Sequence, residues 1–191
     1  MMEIKELIKN IEAWGIEREL DKKGTVEGQS IKTAEEISEL IIGISKNKID
    51  VIKDSIGDVF VTLVIGNMLD MKLDVFEDYY KEIEKNIKTY LEEDKKEEID
   101  CLAQGITDVI RNGYYEDTLY YGLANLMAIA DIYDLDFVEC VESAYNEIAD
   151  RKGRMINGTF VKEEDLENWW ISKKTWRIRI YSWGKIWTNY S

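Results

Sequence analysis

The chain has 191 residues, 45% hydrophobic and 34% charged, with no proline, no histidine and a formal net charge of −14. That length suits one domain, or two small repeats sharing a core, and the apolar content excludes a disordered chain. Missing histidine excludes serine–histidine and cysteine–histidine catalysis and removes the commonest zinc and copper ligand, while the acidic excess argues against binding to a nucleic-acid backbone.

Without proline, and rich in Glu, Lys, Leu, Ile and Ala, the chain is expected to be all-α. Ile4, Leu7, Ile8 and Ile11 recur at helical spacing and predict a first helix over 3–14, with Trp14 near its end. Three glycines, Gly15, Gly24 and Gly28, then predict an irregular connection over 15–29. Ser30 is a candidate cap for a second helix over 31–46, with Ile37, Leu40, Ile41 and Ile44 on its apolar face. A third helix over 51–70 is apolar almost all round and is expected inside the bundle. A fourth starts near Asp74 and runs through Tyr90.

The next stretch of chain resembles a second copy of the same unit. Glu97-Glu98-Ile99 answers Glu35-Glu36-Ile37, Gly105-Ile106 answers Gly43-Ile44, and Leu135-Asp136 answers Leu73-Asp74, all at one offset of 62 residues without gaps. A repeat of that length predicts a duplicated helical unit whose copies pack on each other. The copies differ chemically, because Glu39, Asp54 and Asp58 are answered by Cys101, Glu116 and Tyr120. The expected organisation is a first unit over 1–92, a degenerate second unit over 93–167, and an aromatic, basic appendage over 168–191. After Glu167 the appendage has five basic residues and no acid, and the alternation over 177–181 reads as a short strand.

Cys101 and Cys140 stand in unlike contexts with no CxxC pair, which suits a reducing cytosol. Neither a hydrophobic signal core nor a run long enough to span a bilayer is found, so a soluble cytoplasmic protein without a membrane partner is expected.

The chemistry is concentrated in carboxylates. Glu35, Glu36 and Glu39 share one helix face, and Asp54 and Asp58 lie four apart on a stripe with Val51, Val61 and Ile65. Ionised carboxylates on a buried helix cost several kcal/mol unless compensated. Compensation comes either from nearby Lys32, Lys46, Lys48 and Lys53 or from a divalent cation. An oxygen-only donor set without histidine selects Mg²⁺ or Mn²⁺ over zinc.

Two blocks carry a family resemblance. Gln29-Ser30-Ile31-Lys32-Thr33-Ala34-Glu35-Glu36-Ile37-Ser38-Glu39, with Lys53-Asp54-Ser55-Ile56-Gly57-Asp58 after it, resembles the MazG-like nucleoside triphosphate pyrophosphatases, in particular their small phage and bacterial members. Asn146-Glu147-Ile148-Ala149-Asp150-Arg151-Lys152-Gly153-Arg154 and the residues beyond it to Asp165 resemble the end of the same family, and Trp14 and Arg18 fit its N-terminal helix. The resemblance implies an all-α enzyme related to dimeric dUTPases and phosphoribosyl-ATP pyrophosphatases. Such enzymes cleave the α–β phosphoanhydride of (d)NTPs to the monophosphate and diphosphate with Mg²⁺. It implies Glu36, Glu39 and Asp58 as metal ligands, Glu35 in support, and Asp54 in place of the family's second acidic pair, which would need Glu where Ser55 stands.

Either Glu36 or Glu39 is the candidate to relay the attacking water's proton. Lys32, Asn146, Arg151, Lys152, Arg154 and Lys162 are the candidate phosphate and substrate contacts, although the family's usual Lys is replaced by Ala149. Trp14 is a candidate stacking surface for the base, the alternative being a packed core tryptophan near a helix end. Arg151-Lys152-Gly153-Arg154 also reads as a basic helix C-terminus with a glycine stop. Duplication permits a monomeric pseudo-dimer with one composite site, and a homodimer remains open. Within the same chemistry a dUTPase-like specificity is the neighbouring expectation. A homologue that binds nucleotide or protein without hydrolysis is the alternative of a different class.

Overall fold

The computed structural model describes residues 2–89 and 95–166, and these form an all-α bundle with one small β-hairpin. The helices are α1 (Ile4–Glu17), α2 (Leu20–Lys23), α3 (Val26–Ser45), α4 (Ile49–Leu69), α5 (Phe76–Asn86), α6 (Lys95–Asn112), α7 (Glu116–Ile132) and α8 (Phe137–Ala149). Strands β1 (Gly153–Ile156) and β2 (Thr159–Lys162) come last. The appendage over 168–191, including its expected strand, lies outside the described residues. Among the described residues no helix is long and apolar enough to cross a membrane.

Helix α4 is the axle, as its all-round apolar sequence requires. Ile52, Ile56, Phe60 and Val64 are fully buried, and α1, α3, α7 and α8 pack around it. The Phe60 ring receives Phe76 from α5 and Phe137 from α8, both edge-on at 5.6 and 5.5 Å. Each such pair contributes about 0.5–1.5 kcal/mol beyond the area it buries.

The pairing of helices is two-fold in character. Helix α3 packs on α4 as α6 packs on α7, α4 packs on α8 as α7 packs on α5, and α3 meets α6. Exchanging α3-α4-α5 for α6-α7-α8 leaves this set of contacts unchanged. The left-handed residues that precede the last helix of each unit, Lys72 and Asp134, stand 62 residues apart with φ of 56° and 54°.

Several expected boundaries are corrected. Helix α1 continues through Gly15 to Glu17, and the expected irregular connection contains α2 and the first turn of α3. Thr25, not Ser30, caps α3, because its Oγ1 accepts from the Gly28 amide at 3.0 Å, whereas Ser30 is buried within the helix. Asp74 does not cap α5, which begins at Phe76 behind Val75 and ends at Asn86, where a 3₁₀ turn (Ile87–Thr89) takes over. The basic block is not a helical end. Helix α8 stops at Ala149, and the chain turns through Arg151 and Lys152 into the hairpin.

In the hairpin, Gly153 pairs with Lys162, Arg154 with Val161, Met155 with Phe160 and Ile156 with Thr159. Asn157 and Gly158, with φ of 50° and 83°, form its two-residue turn. That turn seats on the N-terminus of α3: the Thr25 amide donates to the Gly158 carbonyl at 3.1 Å. A Cβ at Gly158 would lie 2.7 Å from Thr25 Oγ1 and Cγ2, so both the φ and the close approach require glycine.

Candidate functional site

Helices α3 and α4 lie side by side, α8 crosses α4, and the hairpin folds back to the start of α3. Between them is a cleft of about 630 Å³. Its lining includes Glu35, Glu36 and Glu39 from α3, Asp54 and Asp58 from α4, Glu147 from α8, and Arg151 and Lys162 around the hairpin. The acidic sequence block at 35–58 and the basic block at 146–162 therefore meet across one space. Trp14, Leu20, Val61, Ile65, Ile156 and Phe160 supply its apolar side.

Not every candidate lines it. Lys152 lines an adjoining recess that shares Glu147, Arg151 and Lys162 with the main cleft. Asn146 and Arg154 are exposed and stand outside both linings. Arg154 lies on strand β1, which leaves its side chain exposed to solvent. Lys32 is in the cleft, and its ammonium bridges Glu35 at 2.6 Å and Glu36 at 3.4 Å.

The carboxylates crowd one another. Asp58, half-buried, is pushed up to about 7 by burial first, then by the charges of Glu36, Asp54 and Glu147, with Arg151 opposing. Burial also pushes Glu36 above the ordinary carboxylate range, with Lys32 opposing and Glu39 and Glu35 adding to the rise. Asp54, expected to point inward, stands exposed at the rim. It too is raised, first by partial loss of solvent on its protein-facing side and then by Glu147, against Arg151 and Lys162. For Lys32, burial opposes the charge, but the Glu35 hydrogen bond and the fields of Glu36 and Glu35 outweigh it and raise the ammonium.

A carboxyl whose folded pKa lies above its unfolded value binds its proton more tightly in the native state. Stability therefore falls as pH rises from about 4 to about 7, the interval between the ordinary value of 3.8 and that of folded Asp58. Melting of the metal-free protein is expected at progressively lower temperature across that interval, and Asp58→Asn is expected to flatten the profile. Thermal scans at pH 5, 6, 7 and 8 check this.

The donor chemistry fits a hard cation: all the available ligands are carboxylate oxygens on adjacent helices, and their mutual repulsion is only partly met by Lys32 and Arg151. Among the described residues no three acidic or cysteine side chains are yet gathered closely enough to hold a metal as they stand. Glu36, which is paired with Lys32 here, would have to give up that contact to hold one. The residues available to hold a cation are Glu36, Glu39 and Asp58, with Glu35 and Asp54 adjacent.

Trp14 is a wall of the cleft and a core residue at once. Its indole N–H donates to the Ile148 carbonyl at 2.7 Å, Phe160 meets it edge-on at 5.6 Å, and the Arg18 guanidinium sits 4.6 Å from its centroid. Arg18 in turn donates to the Ala149 and Arg151 carbonyls at 2.9–3.1 Å and closes the end of α8. Arg151 pairs with Glu147 one turn back.

Sequence reasoning missed the hairpin, and with it Ile156, Asn157 and Phe160. An available signal was Asn157-Gly158 flanked by Met155-Ile156 and Thr159-Phe160-Val161, a two-residue hairpin pattern. For Gln29 and Leu20 there was no such signal.

In the second unit the corresponding place is occupied differently. Tyr120, which answers Asp58, donates to Glu82 at 3.1 Å and meets Tyr79 edge-on at 5.1 Å. Glu98, which answers Glu36, is buried and accepts from the Tyr133 hydroxyl at 3.3 Å.

No protein-family model matches the chain, and no solved structure matches it. Over 65 residues it is 54% identical to an uncharacterised 18.2 kDa protein from the rep-hol intergenic region of Haemophilus phage HP1. That match covers 34% of this chain and 40% of the phage protein's length.

Proposed function

We propose that the cleft is the active site of a Mg²⁺-dependent nucleoside triphosphate pyrophosphohydrolase of MazG-like type, converting (d)NTP and water to (d)NMP and diphosphate. The observation that carries this reading is the meeting of the two blocks: an acidic wall from α3 and α4 stands opposite Arg151 and Lys162, with an aromatic and aliphatic end beside them. A triphosphate with roughly four negative charges cannot approach the six carboxylates of the cleft unaided. Mg²⁺ or Mn²⁺, when bound, supplies neutralisation of phosphate charge and a more acidic water.

The protein's own groups do the rest. Arg151 and Lys162 hold phosphate oxygens by charge-assisted hydrogen bonds. Lys32, once released from Glu36, is placed to do the same. Glu36, whose proton affinity is raised by burial, is the candidate to accept the proton of the attacking water as its oxygen bonds to phosphorus and diphosphate leaves. Glu39 is the other candidate. Val61, Ile65, Trp14 and Phe160 exclude water from the end where the nucleoside would lie.

The self-exchanging pairing of the two units supports a monomeric pseudo-dimer, in which the second unit contributes α8 and the hairpin to the acidic wall of the first. One productive site per chain is then expected, since Cys101, Glu116 and Tyr120 do not restore the acidic set. A dUTPase-like preference belongs to the same reading.

Release of diphosphate from a panel of dNTPs, NTPs and dUTP, with Mg²⁺ and then with EDTA, is the test. Mg²⁺-dependent release, lost in EDTA, is expected. No release from any nucleotide overturns the enzyme reading. Nucleotide binding without release would select a non-hydrolytic homologue, the reading that the Lys32–Glu36 contact favours.

A further inference from the structure

The lining of the cleft contains one buried neutral amide. Gln29 is only 9% exposed, and its Nε2 donates to the Thr62 carbonyl of α4 at 3.1 Å. A carbonyl accepts and cannot donate, so this contact fixes which end of the amide is nitrogen. Among the described residues Oε1 has no hydrogen-bond partner, and no buried polar side-chain atom is left unsatisfied. Oε1 is therefore the end that meets the cleft, a tethered acceptor open to a donor.

Its position along the cleft is set by α3. Thr25 touches the hairpin turn, Gln29 comes one turn later, and Glu36 stands seven residues on, about 10 Å along the axis. Helix α4 runs beside it, with Asp54 and Asp58 at the acidic end and Thr62 and Ile65 at the other. Gln29 thus shares the cleft lining with Trp14, Leu20, Ile65 and Phe160 and stands about two turns of α3 from Glu36, a distance that suits the span from a nucleotide's phosphates to its base.

We propose that Gln29 is the residue that selects the base, with Oε1 accepting from an amino or ring N–H donor on the pairing edge. This rests on the reading of the cleft as a nucleotide site. A buried, tethered amide discriminates because a base without a donor at that place leaves the acceptor dry and unpaired. Asn157 also lines the cleft, but it is exposed at the hairpin turn and free to adapt, which makes it a poor discriminator.

The test compares wild type with Gln29→Met for kcat/KM on dATP, dGTP, dCTP and dUTP with Mg²⁺, and for affinity of the matching monophosphates in EDTA. Wild type is expected to rank the bases over at least about tenfold, and Gln29→Met to compress that range to about threefold, mainly through KM, with monophosphate affinities converging alike. A folded Gln29→Met that keeps the wild-type ranking overturns the proposal, and so does a wild type that treats all four bases alike. Should the variant not fold, wild type alone decides: an analogue of the preferred monophosphate with the donor removed must bind about tenfold more weakly. A wild type that ranks monophosphates yet releases no diphosphate defeats the hydrolase reading and leaves base selection standing.

Discussion

Asp58→Asn is expected to lower diphosphate release by about 10²–10³-fold while raising the melting temperature of the metal-free protein at pH 7.5. Both effects have one origin. Asp58 is half-buried, faces Glu36, Asp54 and Glu147, and holds its proton up to about 7, so above that pH the fold carries a charge it would be more stable without. The amide keeps the shape and removes the charge. Loss of one carboxylate from a cation site is worth several kcal/mol of transition-state stabilisation, and each ~1.4 kcal/mol is tenfold in rate. Mn²⁺ is expected to raise the melting temperature of wild type and to do little for Asp58→Asn. An active Asp58→Asn, or one that Mn²⁺ stabilises as much as wild type, would count against Asp58 as a ligand. Sites that are tense in the resting protein commonly trade stability for function in this way.

Gly57→Ala should produce the other large effect, on the fold and the cleft together. A Cβ at Gly57 would lie 2.3 Å from the Cys140 carbonyl oxygen and 2.6 Å from the Ala144 Cβ. The first of these is helix backbone, so no side chain can swing aside and α4 must part from α8. Overpacking of this kind costs about 1–3 kcal/mol, against a gain of about 1 kcal/mol from replacing a helical glycine by alanine. The net loss, of up to about 2 kcal/mol, corresponds to a melting shift of up to roughly 8 °C for a chain this size. Activity should fall further than stability alone explains, because α4 holds Asp54 and Asp58 while α8 leads into Arg151. Gly105→Ala on α6 is the control: its Cβ would meet only Ile37 Cδ1, at 3.9 Å, and it should be neutral or slightly stabilising. Equal behaviour of the two variants in thermal scans and diphosphate release would show that the α4–α8 approach is not what the glycine protects.

The main helices and the acidic cluster were legible in the sequence, because each is local. Apolar residues at helical spacing announced α1, α3 and α4, and the gapless offset of 62 predicted a second copy of the same helical unit after them. The spacing of Glu35, Glu36 and Glu39, and of Asp54 and Asp58, put carboxylates on one face of each helix before any neighbour was known. Periodicity misjudged the ends. The glycines at 24 and 28 suggested a loop where a threonine cap starts a helix, and a basic run suggested a helix end where an Asn-Gly turn makes a hairpin. The two meet in one contact, the Thr25 amide on the Gly158 carbonyl, across 133 positions of chain.

Tertiary structure alone decided which groups face one another. A helix face specifies that a residue is turned inward, not what it meets there, so no spacing indicates that Asp58 on α4 feels Glu147 and Arg151. Nor does it indicate that Gln29 is tied by one end of its amide and open at the other. The sequence determined an all-α chain with two clusters of opposite charge; bringing them to one cleft required the fold, because electrostatic fields and hydrogen bonds act through space while sequence patterns report only on order along the chain.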